Sequence, residues 1–122
     1  MTKINTKKSG VVRTIIFPIR GGYRAVCLDF DIIEEAGTRV EVEEQIKEAI
    51  TGYVANICKN KLDDSLLNRH ADKRYWDMYD AYQKFITAKK EIVTKNLATT
   101  NKVSLFTTPV AELFKQSSYC AA

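Results

Sequence analysis

The stretch from Tyr23 to Val54, YRAVCLDFDIIEEAGTRVEVEEQIKEAITGYV, runs two strand patterns into an amphipathic helix almost without a spacer. The helix start is the clearest signal. Gly37 stops the preceding pattern, Thr38 is a good N-cap, and Glu41 stands three residues later. Thr-x-x-Glu is a capping box, in which each side chain can satisfy the other residue's orphan backbone donor. Behind it, Val42, Ile46, Ala49, Ile50, Tyr53 and Ile57 fall on one helical stripe. The spacing predicts a helix over 38–57. Glu43 and Lys47 form a favourable i, i+4 pair on its outer side. Ala49, Gly52 and Ala55 are small, which suggests a close approach to a sheet. A glycine inside a helix costs about 1 kcal/mol against alanine, so Gly52 would need such a packing reason.

Upstream, VVRTIIFPI (Val11–Ile19) is rich in β-branched and aromatic residues and predicts a strand. Pro18 belongs at that strand's end or on an edge. Arg20-Gly21-Gly22 marks a hairpin turn into the returning strand YRAVCLDF. Tyr23, Ala25 and Cys27 alternate there with Arg24, Val26 and Leu28, so neither face is cleanly polar. DIIEEAG (Asp31–Gly37) suggests a third short strand reached through a bend at Asp29 to Asp31.

Downstream, Asp63, Asp64 and Ser65 are candidate caps for a second helical region. Tyr75, Met78, Tyr79, Tyr82, Phe85 and Ile86 line one face of it. The pattern does not decide between one helix and two in 65–88. KVSLFTTPV reads as a last strand ended by Pro109. The expected architecture is α+β: an antiparallel sheet from a β-hairpin and third strand, a long amphipathic helix, a second helical region and a late strand, with helices on one face. An uncovered second face would need a partner, which points to dimerisation. The expected organisation is a flexible basic arm at 1–9, one domain at 10–115 and a tail at 116–122.

The chain has 122 residues, 45% hydrophobic and 28% charged, as for one globular domain. Its net charge of +4 permits contact with nucleic acid or an acidic partner without requiring either. Three cysteines, Cys27, Cys58 and Cys120, with no CxxC pair, give no zinc signature and no disulfide framework. Cys27 and Cys58 read as small core residues. No stretch has membrane-spanning length and no signal-peptide pattern stands out, so the expected setting is cytoplasmic. No Walker or dinucleotide fingerprint is present, and no cofactor or metal is expected. His70, the single histidine, has no nucleophile elbow near it.

Residues 11–57 resemble the N-terminal domain of the HicB antitoxin family. Gly22, Tyr23 and Ala25 match its glycine turn and aromatic-x-Ala strand. Gly37, Thr38, Glu41 and Glu44 approximate its helix start, and Ala49, Ile50 and Tyr53 its helix end. The family's Pro-Gly-Cys-like bend is replaced here by DFDIIEE, and 65–88 shows no recognition helix for DNA. The resemblance implies a degenerate ribonuclease-H-like sheet, homo-oligomers, and a non-catalytic protein that binds a small basic RNA-cleaving toxin. Asp29, Asp31, Glu34 and Glu35 are then the candidate partner-binding residues, since an acidic bend complements a basic surface. A solvated set of carboxylates is the alternative reading of the same four.

Two further readings stand beside this one. In a metal-dependent, ribonuclease-H-like nuclease, clustered carboxylates hold two ions about 4 Å apart. Asp29 and Asp31 would share a side if DFD were extended. In a weak nucleic-acid-binding regulator, Lys3, Lys7, Lys8, Lys89 and Lys90 would contact phosphates.

Overall fold

The computed structural model describes residues 4–91 and 103–116. Lys3, Cys120 and the tail at 117–122 lie outside the described residues, as do the side chains of Lys89 and Lys90.

Strand β1 (Val11–Ile19) turns through Arg20 and Gly21 into β2 (Gly22–Cys27), pairing Thr14 with Cys27 and Ile19 with Gly22. Gly21 has φ +83°, a conformation that glycine adopts without steric cost. β3 (Ile32–Ala36) returns antiparallel to β2, and β4 (Ser104–Pro109) pairs antiparallel with β1. The sheet order is β3-β2-β1-β4. Pro18 lies beyond the reach of β4, whose pairing stops at Ile16 with Ser104.

Helix α1 (Arg39–Lys59) starts where the sequence predicts. The Thr38 side chain accepts a hydrogen bond from the Glu41 N–H at 3.1 Å. Val42, Ile46, Ile50, Val54 and Ile57 are its buried residues. They pack on the sheet face of Val12, Ile16, Ala25 and Cys27. Tyr53 lies at the margin, stacked on Phe30 with ring centroids 4.7 Å apart. Gly52 has no packing role: it is exposed, and an added methyl group would meet nothing.

At its end α1 closes in a Schellman motif. Leu62 N–H donates to the Ile57 carbonyl and Lys61 N–H to the Cys58 carbonyl. Lys61 takes the left-handed conformation, φ 51°, that glycine usually occupies there. A 3₁₀ turn (Asp64–Asn68) follows, and then α2 (Lys73–Glu91), so the region holds two separate helical pieces. A short α3 (Val110–Gln116) follows β4 and packs Val110 and Leu113 into the α1 side of the core.

Helices cover both faces of the sheet, not one. α2 lies on the face opposite α1, where Ala71, Tyr75 and Tyr79 pack on Ile15, Val26 and Leu28. The cause is visible in β2, whose alternating residues are apolar on both sides. The case for dimerisation from an uncovered face therefore falls away. Only the first half of α2 is used in this way. Phe85 and Ile86 are 46% and 40% exposed.

The basic N-terminal segment, expected as a flexible arm over 1–9, is held against the domain at Asn5 and Lys7, while Ile4 is largely exposed. Asn5 is fully buried. Its N–H donates to Asn68 Oδ1 at 2.7 Å, its side-chain amide to the Leu67 carbonyl at 3.1 Å, and its Oδ1 accepts from Val11 N–H at 3.0 Å. Gly10, at φ +113°, leaves the space that this asparagine fills. Among the described residues no helix is long and apolar enough to cross a membrane. Cys27 is a free, buried thiol, whereas Cys58 is disulfide-bonded, which departs from the expectation of two reduced core cysteines.

Candidate functional site

The DFD segment is not extended. Residues 28–31 form a turn closed by Asp31 N–H donating to the Cys27 carbonyl at 2.9 Å, with Asp31 in the left-handed region at φ 60°. Aspartate tolerates that conformation better than most residues. The turn breaks the period of two on which a shared side for Asp29 and Asp31 depended. Among the described residues no group of three or more His, Cys, Asp or Glu is placed to hold a metal ion.

The four acidic candidates go to three different environments. Asp29 is turned inward and is 1% exposed. One of its oxygens accepts from the Arg13 N–H and the other from the Arg13 guanidinium, both at 2.8 Å. Its carbonyl accepts from the N–H groups of Arg69 and His70. Burial pushes the Asp29 carboxyl above the usual carboxylate range, while Arg13 and then His70 and Asn5 pull the other way. Asp29 thus ties the β2–β3 turn to β1 and to the loop before α2, and offers no free face to a partner.

Asp31 is exposed at the tip of the turn. Glu34 and Glu35 lie on β3, an outer strand of the sheet, and point to opposite faces. Glu34 shares the side of Ile32 and Ala36, which touch the α1 core. Glu35 lies on the α2 side and pairs with Arg24 at 2.7 Å. That guanidinium also reaches the Tyr75 hydroxyl at 3.3 Å. The acidic group outside the core is therefore Asp31, Glu34 and Glu35, strung along one edge.

The lysine candidates do not assemble into one surface among the described residues. Lys7 Nζ is held by Asp64 at 2.6 Å and by the Leu62 carbonyl at 2.8 Å, so it fastens the N-terminal segment to the 3₁₀ turn. Lys8 is exposed. Sequence reasoning missed a cluster centred on Arg13. The Trp76 ring lies 5.2 Å under its guanidinium, and His70 lies 5.3 Å from Trp76. Its members come from β1, the turn at 28–31, the loop at 69–72 and α2, and no local spacing announces it. His70, at φ 56°, serves there as a structural contact.

The two outer strands differ chemically. β3 carries Glu34 and Glu35, whereas 103–111 carries no charged side chain. No protein-family model matches the chain, nor does any curated protein or solved structure.

Proposed function

We propose that this chain is a non-catalytic binding module of the HicB-like antitoxin type, which neutralises a small basic RNA-cleaving protein by covering it. The observation that carries the reading is the acidic edge: Asp31 at the tip of the turn leads into Glu34 and Glu35 on β3, an outer strand of the sheet. An edge strand offers backbone hydrogen bonds, and carboxylates along it select a basic partner and speed its approach. The helix start and end that carry the family likeness, Thr38 with Glu41 and Ala49 to Tyr53, fall within α1 and its cap, which supports a degenerate ribonuclease-H-like arrangement. Asp29 is not among the contact residues in this reading, because Arg13 occupies both of its oxygens. The cellular setting belongs to the proposal too. The Cys58 disulfide is a bond that reducing compartments seldom keep, which weighs against the cytoplasmic expectation.

The nuclease alternative loses support from the turn at Asp29–Asp31. The nucleic-acid alternative rests on Lys8 together with Lys3, Lys89 and Lys90, whose side chains lie outside the described residues. The test is co-expression with the products of the reading frames that flank this one, among which the reading expects a small basic protein. The reading expects the two products to co-purify and expects the added chain to stop RNA cleavage by the neighbour. A neighbour whose cleavage is unchanged by excess of this chain refutes it.

A further inference from the structure

We propose that Arg24, Arg74 and the Tyr75 hydroxyl form a binding site for a phosphate group. Arg24 comes from β2, and the other two from the first turn of α2. Nη1 of Arg24 and Nη2 of Arg74 each donate to the Tyr75 hydroxyl oxygen at 3.3 Å. Two guanidinium groups thus converge on one neutral acceptor. The Arg74 guanidinium carbon also lies 4.8 Å from the centre of the Tyr75 ring. Like charges held this close repel each other, and an anion set between them removes that cost.

The carboxylates around the pair leave this position to a ligand. Glu35 Oε2 takes Nε and Nη2 of Arg24, both at 2.7 Å. Those bonds fix the plane of the guanidinium and leave its Nη1 side on Tyr75. Among the described residues no carboxylate reaches the Arg74 guanidinium at hydrogen-bond distance. Asp72 stands 4.0 Å from its Nε and accepts instead from the Arg74 backbone N–H at 2.9 Å. The Tyr75 N–H donates to the Asp72 carbonyl, so the site does not draw on these backbone donors at the start of α2. Lys73, the third cation of that turn, is paired with Asp77 at 3.1 Å.

The hydroxyl orders the site. The Tyr75 ring is buried and lies 6.1 Å from the Phe17 ring, which fixes where its oxygen stands. That oxygen accepts two N–H groups and, among the described residues, donates to none. With both lone pairs used, its own proton takes the remaining direction, and a ligand oxygen there can accept it. The three donors come from two elements and not from one planar fork. That arrangement suits a tetrahedral oxyanion better than a flat carboxylate. Ile33 lies on the same side of the sheet as Glu35 and is 45% exposed, a seat for the apolar body of a phosphate monoester.

This site goes beyond the proposed toxin contact, and it is tested on the purified chain without any partner. The experiment is a titration of the full chain with inorganic phosphate at constant ionic strength, followed by nuclear magnetic resonance of the arginine Nε–H groups and backbone amides. Phenyl phosphate, acetate and chloride are titrated in parallel. The expected result is a saturable shift at Arg24 and Arg74, half-complete on the order of 1 mM phosphate. Acetate and chloride should be weaker by tenfold or more. Tighter binding of phenyl phosphate assigns the site to a monoester with an apolar body, and equal binding assigns it to phosphate itself. Arg74→Ala should weaken phosphate roughly tenfold or more, and Tyr75→Phe several-fold, while Lys73→Ala leaves it unchanged. Circular dichroism checks that each variant is folded; should Tyr75→Phe fail to fold, the exposed Arg74 and Lys73 positions carry the comparison. A shift that does not saturate, or that chloride reproduces, overturns the inference. So does an equal loss in Arg74→Ala and Lys73→Ala.

Discussion

Replacing Asp29 tests the assignment of that residue to the fold and not to a partner surface. Asp29→Ala removes both acceptors of Arg13, whose side chain is itself only 14% exposed. A hydrogen bond to a charged group is worth about 1.5–3 kcal/mol. Breaking a buried pair by removing one partner costs about 3–5 kcal/mol, because the remaining charge is left without compensation. The expected loss is therefore about 3–5 kcal/mol, a large fraction of the ~5–15 kcal/mol that holds a domain folded. Asp29→Asn keeps one acceptor and sheds the cost of burying a negative charge, so its loss should be smaller, about 1–2 kcal/mol. Glu35→Ala removes only the half-exposed pair with Arg24, worth about 0–1 kcal/mol. Because the folded-state pKa of Asp29 is raised, the folded state takes up the proton first. The stabilisation from this group grows as pH falls through its folded pKa, and is fully present below the ordinary value of 3.8. The gap between wild type and Asp29→Asn should accordingly change between neutral pH and pH about 4. Urea unfolding followed by circular dichroism reads all of this as shifts in midpoint. An Asp29→Ala protein that loses under about 1 kcal/mol, no more than Glu35→Ala, would refute the reasoning.

Three other outcomes are expected. Glycine sits at exposed helical position 52, while Lys61 holds a left-handed conformation; Gly52→Ala and Lys61→Gly should each stabilise by about 0.5–1 kcal/mol and add in the double variant, as thermal melts will show. Burial pushes the Cys27 thiol from 9.0 up to about 12 and also raises the Tyr53 and Tyr79 hydroxyls. The unfolded chain ionises these groups first, so stability present below their ordinary values is lost as pH climbs; for Cys27 alone the loss between pH about 8 and 11 is on the order of 3 kcal/mol, which Cys27→Ala should abolish in urea titrations at those two pH values. Native alkylation without reductant, read by peptide mass spectrometry, should leave Cys58 unmodified until the disulfide is reduced.

The elements whose cause is local could be read from the sequence. Thr38 caps α1 because its hydroxyl can accept from the backbone N–H three residues on, and the turn before β2 forms because Gly21 accepts a positive φ. β3 and β4 fall within the runs that suggested them. What could not be read depended on partners distant in the chain. Asp29 looks like any loop carboxylate until Arg13, sixteen positions earlier, is brought beside it. Asn5 has no visible role until residues 67 and 68 arrive. A shared side for Asp29 and Asp31 requires a period of two through DFD, and a single left-handed residue, Asp31, cancels it. The cover on the second face was hinted at by the apolar sets on both sides of β2, but which helix supplied it was a question of topology. The sequence puts the four acidic candidates close together along the chain and does not show their division between the interior and the β3 edge.

The most direct test of the account is calorimetric titration of the full chain with any small basic protein encoded beside it, comparing wild type with the Glu34→Lys, Glu35→Lys double variant at low and high salt. The account predicts salt-sensitive binding by the wild type and its loss in the variant, with the variant still folded by circular dichroism. Equal binding by both proteins, or no binding by either, would contradict it.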